Sequence, residues 1–408
     1  MKVLYIAYAC SPYNGSEDKI GWSIPWHIHR FVDEVHVITK IEQKPFIENF
    51  FVNNNISDSN IKFHYIDIPT IYKKIFKNYF YSVRHIFWQK KAFRFAKYIV
   101  KKEGIDLIHQ ITPVDIRSIG NYSKINNIEF FWGPCGGGEY VPKSLKKYLI
   151  KNILVEFVRF VSNKIIIFKL KRQSFIYKIK KIYFVNEETK YTMRKLIKNV
   201  DTEFLIDIGL ERNDICSSNI IEEKLSTIKN TMIFLVSGRM IYRKGHAFLL
   251  KALSYIPKEY NYKLNIIGDG IEKRSIIKLI KKYKLFDKVN LFGKVPFDKI
   301  NSYYYESDVL IVPSLRETTG TVILEAFSKG IPVITSNHYG GSRIVNNKNG
   351  WIYNIDCDNP ERELSKLIIE CIKNPLKVKE KSKNAHRDAY NYLWEKKVSV
   401  FLKDYKKD

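Results

Sequence analysis

Short apolar runs, each ended by glycine or a polar loop and followed by a segment of helical period, recur along this chain in two successive series. The first has runs at 3–9, 35–39, 61–66, 105–109 and 128–132, the last leading into Gly133-Pro134-Cys135-Gly136-Gly137-Gly138. The second has runs at 232–237, 263–267, 289–292, 309–313 and 332–335. A helix between two strands carries the chain back across the sheet, so such strands lie parallel. The pattern predicts an α/β protein of two Rossmann-like doubly wound parallel-sheet domains, residues 1–200 and 201–389, facing each other across a cleft. Open parallel sheets bind ligands beyond the carboxyl ends of their strands, so that cleft is the expected site.

No apolar run approaches the ~20 residues that a membrane-spanning helix needs. The opening MKVLYIAYAC imitates a secretion signal, but its apolar part is short, and it reads as a buried first strand. Five scattered cysteines without a CxxC pair fit a reducing compartment, with neither a disulfide nor a zinc site. The expected location is therefore the cytoplasm, with a peripheral position on the inner face of the plasma membrane.

Lys and Arg outnumber Asp and Glu by 69 − 42 = 27 among the 408 residues, which suits an anionic partner. A+T-rich coding, which enriches Lys, Ile, Asn and Tyr together, gives the same excess. Without a helix-turn-helix, zinc or RNP-like motif the charge does not point to nucleic acid. In 72–102, Lys73, Lys77, Arg84, Lys91, Arg94 and Lys101 fall on one helical face. In 143–181, twelve Lys or Arg stand against the single acid Glu156 and are interleaved with apolar residues. Basic amphipathic surfaces of this kind fit an anionic membrane surface as partner, although solvated helix faces look similar.

The chemistry-bearing stretch is VLIVPSLRETTGTVILEAFSKG, 309–330. A buried strand gives way to the polar loop Glu317-Thr318-Thr319-Gly320, and a helix opens near Thr321 carrying Glu325. The free amides and positive dipole end of a helix start favour phosphate, and Gly320 allows close approach. Carboxylates eight residues apart can then accept from hydroxyls on either side, a combination that nucleotide sugars present. Alternatively, Glu317 caps the helix and Glu325 makes a salt bridge. In the 237–245 segment, Arg239 and Lys244 lie just past a strand end, where two cations can clamp a diphosphate or simply meet solvent. Gly268-Asp269-Gly270 follows the next strand on the same side. Asp356-Cys357-Asp358 has the form of a metal-binding DxD, but its position before Asn359-Pro360 is a turn context.

In chain order, ACSPYNGSEDKIGW (9–22), GRMIYRKG (238–245), IIGDG (266–270) and the Glu317-x7-Glu325 spacing resemble glycosyltransferase family 4. Trp132-Gly133-Pro134 with Gly136-Gly137-Gly138-Glu139-Tyr140 resembles a motif of one bacterial branch. The resemblance implies a GT-B fold whose C-terminal helix, 390–408, returns to complete the first, acceptor-binding domain. It also implies a retaining transfer from a nucleotide diphosphate sugar, with no metal and no other cofactor. On that basis Arg239 and Lys244 neutralise the leaving diphosphate, and Glu325 holds the ribose hydroxyls. Glu317 and the amides of Thr318, Thr319, Gly320 and Thr321 hold the sugar and phosphate. Gly268 and Gly270 line the donor site, and Gly15 lets backbone approach the diphosphate. His109 matches a position near the donor sugar. Many relatives carry Phe-Gly after the first glutamate, where this chain has Thr318-Thr319-Gly320, so donor preference does not transfer. The implied acceptor is a glycan or lipid-linked saccharide, in bacterial surface polysaccharide or glycoconjugate synthesis. The alternatives are a soluble phosphorylated acceptor, as in a sugar-phosphate synthase, and a noncatalytic partner subunit, in which loss of Arg239, Lys244 or Glu325 would be expected.

Overall fold

The computed structural model describes residues 1–15, 17–57, 59–68, 81–149, 151–226 and 230–406. In chain order its principal elements are β1 (Lys2–Ala7), α1 (Glu17–Ile28), β2 (Glu34–Lys40), α2 (Lys44–Asn53), β3 (Ile61–Ile66), α3 (Tyr81–Glu103), β4 (Leu107–Thr112), β5 (Glu129–Cys135), α4 (Ile153–Lys171), β6 (Lys181–Phe184), α5 (Glu187–Met193) and β7 (Asp201–Phe204). They continue with α6 (Ser218–Ser226), β8 (Met232–Ser237), α7 (His246–Leu253), β9 (Tyr262–Ile267), α8 (Lys273–Lys282), β10 (Val289–Gly293), α9 (Phe297–Glu306), β11 (Val309–Val312) and α10 (Val322–Ser328). The last are β12 (Val333–Ser336), α11 (Gly341–Ile344), β13 (Gly350–Tyr353), α12 (Pro360–Lys373), α13 (Pro375–Ala389) and α14 (Trp394–Tyr405).

The chain forms two units. The first comprises Met1–Gly138, Val161–Gly209 and Trp394–Asp408, and the second Glu139–Phe160 and Leu210–Leu393. The first holds a seven-stranded sheet in the order β3-β2-β1-β4-β5-β6-β7, the second a six-stranded sheet in the order β10-β9-β8-β11-β12-β13. Every pairing between these strands is parallel. In each sheet the order reverses once, between β1 and β4 and between β8 and β11, and a crevice opens there at the carboxyl ends. The central strands are covered on both faces, so all six residues of β4 are buried, its polar His109, Gln110 and Thr112 included.

The division differs from breaks at 200 and 389. Val141, Leu145 and Leu149 enter the apolar core of the second unit, where the Tyr148 ring meets Phe248 edge-on at 5.7 Å. That burial draws 139–160 into the second unit. Trp394 is fully buried on α14 and sits where a side chain at Gly209 would have to go. The Asp404 carboxylate accepts from the Tyr183 hydroxyl at 2.8 Å and pairs with Lys181 at 2.7 Å. These contacts tie α14 into the first unit.

Of the two basic stretches, Lys73 and Lys77 lie outside the described residues. In α3, Trp88, Ala92, Ala96 and Ile99 join the core, so its apolar side faces inward. Among the described residues no helix is long and apolar enough to cross a membrane, and the five cysteines are free thiols.

Candidate functional site

Three loops leave the carboxyl ends of β8, β9 and β11 and are stitched together by backbone. The Met240 amide donates to Asp269 O at 2.9 Å, the Glu272 amide to Met240 O at 3.0 Å, and the Leu315 amide to Arg243 O at 2.8 Å. Glycine is required at three of the close approaches. Gly245 has φ +72°, and a Cβ there would overlap the Pro313 carbonyl. Gly268 has φ +123° and lies against the carbonyl of Gly238. Gly270 presses on Met240 in the same way.

This framework gathers charge onto Glu317. Lys244 ion-pairs with its carboxylate, Arg243 Nη1 lies 3.4 Å away, and the Ser314 hydroxyl donates at 3.3 Å. Burial alone would raise the carboxyl, but Lys244 and Arg243 outweigh it and hold the group below its ordinary range. Glu325, on α10, accepts a hydrogen bond from Tyr304 of α9 at 2.8 Å. Burial and that carboxylate push the Tyr304 phenol well up, so it stays a donor. Gly320 at φ +91° precedes Thr321, which caps α10, and Thr318 O accepts from the Gly340 amide at 2.8 Å. Arg239 is exposed in the first of the three loops. Within the second unit, then, Arg239, Lys244, Gly268, Gly270, the 317–321 loop and Glu325 all stand on adjoining strand ends or on the helix that follows. The cations suit an anion, and the carboxylates suit hydroxyls.

A supporting layer was not foreseen from sequence. Glu156 of α4 accepts from the Tyr242 hydroxyl at 2.8 Å and from Arg316 Nε and Nη2 at 3.2 and 3.1 Å. It thereby ties α4 to two of the loops. Burial lowers the Arg316 guanidinium, but Glu156 more than offsets this and raises it. A lone acid among twelve cations is itself a signal of an inward partner. Arg243 adjoins Lys244, whereas Tyr304 stands 21 residues from Glu325 and has no local signature.

Gly15 and His109 belong to the first unit. Gly15 is exposed, with open space where a side chain would point. His109 is fully buried, its Nδ1 meets the Tyr405 hydroxyl, and the rings of Phe401 and Tyr183 pack at 5.0 and 5.6 Å. Burial drives its imidazole down to about 3. The cause is the doubly covered β4, which leaves position 109 under α14. Asp356 of the DxD-like triplet pairs with His338 at 2.6 Å.

Residues 217–391 match the family model of glycosyl transferases group 1. The match takes in 175 of the 408 residues, the segment that carries the three loops and α10. An uncharacterized glycosyltransferase of Methanocaldococcus jannaschii is 29% identical over 177 residues, 43% of this chain and 44% of that protein, so the chain spans under half of that relative. A second from the same organism is 25% identical over 355 residues, 85% of this chain and 90% of the relative. Anabaena HepE, solved with UDP-glucose, superposes with a TM-score of 0.60 at 14% identity over 99% of each chain. That likeness, with the two parallel sheets, gives the chain the GT-B fold.

Proposed function

We propose that this protein is a retaining, metal-independent glycosyltransferase that moves a sugar from a nucleotide diphosphate sugar to a glycan or lipid-linked saccharide in surface glycan synthesis. The observation that carries the reading is the pairing of Lys244 and Arg243 with the buried Glu317, inside the domain that matches the glycosyltransferase family. In this reading the donor diphosphate draws Lys244 and Arg239 as charge builds on the leaving group. Glu317 and the loop amides hold the sugar, and Glu325, steadied by Tyr304, accepts the ribose hydroxyls. The bond between anomeric carbon and phosphate oxygen breaks, the acceptor oxygen bonds to the same face of that carbon, and the acceptor proton passes to the leaving phosphate. HepE was solved with UDP-glucose, which makes a nucleotide sugar the first donor class to try.

The test is a thermal-shift series with UDP, GDP, ADP and their common sugar conjugates, with EDTA throughout. A ligand that binds only the folded state raises the melting temperature. Stabilisation by one nucleotide in EDTA is expected. No stabilisation by any of them would overturn the donor site, and stabilisation that EDTA abolishes would overturn metal independence.

A further inference from the structure

Helix α4 is built inside out. A helix against a core turns its apolar stripe inward and its polar residues to water. Here Glu156 and Asn163, seven residues apart and so on one face, are buried. Glu156 is held by Tyr242 and Arg316, and Asn163 Nδ2 reaches Gly137 O at 3.3 Å. The opposite face carries Leu154, Phe157, Val158, Val161, Ile165 and Phe168, at the 3- and 4-residue steps of a single stripe. All six are exposed, Leu154 by 70%, Phe157 by 61% and Phe168 by 55%. Single exposed apolar residues are ordinary, but a continuous row is a contact surface. The inward hydrogen bonds decide which face is turned out, so the row is fixed by the fold.

Charge selects the occupant. Lys146 and Lys151 precede the stripe, Lys169, Lys171 and Arg172 close it, and all five are exposed. The Arg172 guanidinium lies 4.2 Å above the Phe168 ring. The one acid of the stretch, Glu156, points inward. At 1.5 Å per residue the stripe is about 20 Å long. Apolar residues in a row, cations at both ends and no exposed acid match a helix lying in the plane of an anionic bilayer surface. A protein partner would call for mixed charge at the rim.

We propose that the outer face of α4 seats this protein on an anionic lipid bilayer, with the apolar stripe at the level of the headgroups and the lysines against lipid phosphates. The proposal stands on α4 alone and does not depend on the transferase reading.

The test is co-sedimentation of the full chain with phosphatidylcholine vesicles, with and without phosphatidylglycerol. The wild type should bind the mixed vesicles about tenfold or more tightly than the neutral ones, with the advantage lost in high salt. The triple variant Leu154→Gln/Phe157→Gln/Phe168→Gln should lose that binding while keeping its melting temperature and its response to nucleotide. Phe157→Trp should blue-shift its emission on adding mixed vesicles. Equal binding by the triple variant, equal binding to neutral vesicles, or an unshifted Trp emission would each overturn the proposal. So would failure of the wild type to bind vesicles alongside a dimer that the triple variant dissolves, since a second copy would then cover the stripe. Loss of nucleotide stabilisation with vesicle binding intact would instead strike the donor reading.

Discussion

Lys244 serves two purposes that substitution can separate. It neutralises Glu317 in the fold, and in the proposed reaction it neutralises the donor diphosphate. Lys244→Ala leaves the buried carboxylate with only Arg243 and Ser314, a loss of about 1–3 kcal/mol, and should abolish nucleotide stabilisation. Adding Glu317→Gln should return most of the melting temperature but none of the nucleotide response. A double variant no more stable than the single would mean that the pair does not hold the loop. Glu325→Gln should weaken nucleotide binding by about 1–3 kcal/mol, measured by titration calorimetry, with little change in folding. The two glutamates, Arg239 and Lys244 were legible because their spacing is local. Tyr304 and Glu156 were not, because each reaches its partner through the fold. The strand boundary at His109 was less legible: an end in the apolar pattern is the middle of a strand in space, because β4 runs on to Thr112.

Elements were read best where apolar runs met glycine. Ten strands were anticipated, whereas β6, β7 and β13 were not, although β13 is apolar (GWIY). Each has four residues, and β7, Asp201–Phe204, is half exposed. Lys181 can sit buried in β6 only because Glu203 and Asp404 meet its ammonium at 2.6 and 2.7 Å, partners that no window of sequence contains. The loops after β8 and β11 depend on Gly245. Gly245→Ala adds a left-handed strain of about 1 kcal/mol and drives a methyl group into the Pro313 carbonyl. Its nucleotide response should therefore fall further than its melting temperature. An unaltered nucleotide response would show that the two loops need not adjoin. For α4 the sequence showed both charge and apolar residues, but which face turned outward depended on where Glu156 and Asn163 found partners.

For the whole molecule, acidity should be the weak side. Burial lowers His64, His85 and His246 to about 4 and His109 to about 3. An unfolded histidine takes up its proton near 6.5. Stability from these neutral rings is therefore present above pH 6.5 and lost as the pH falls toward 4. Glu17 opposes this: burial raises it to about 7, so its contribution grows as the pH falls from 7 to 4.5. Four groups against one leave a net loss on the order of a few kcal/mol between pH 6.5 and 4.5. Buried Lys397, lowered to about 7, adds stability as the pH rises from 7 toward 10. Calorimetric melting at pH 4.5, 6.5 and 8.5 should rise in that order, and a maximum at pH 4.5 would contradict the buried state of the histidines.

The chain leaves the first unit at Gly138, returns at Val161, leaves again at Gly209 and comes back at Trp394. Once residue 209 has cleared the ribosome, the first sheet therefore still lacks the helix that covers His109 and fills the space beside Gly209. The second unit has all of its residues by 393, so it can finish folding before the first. Until the last turns of α14 emerge, the aromatic interior around β1 and β4 stays open to water and to whatever chaperone meets it.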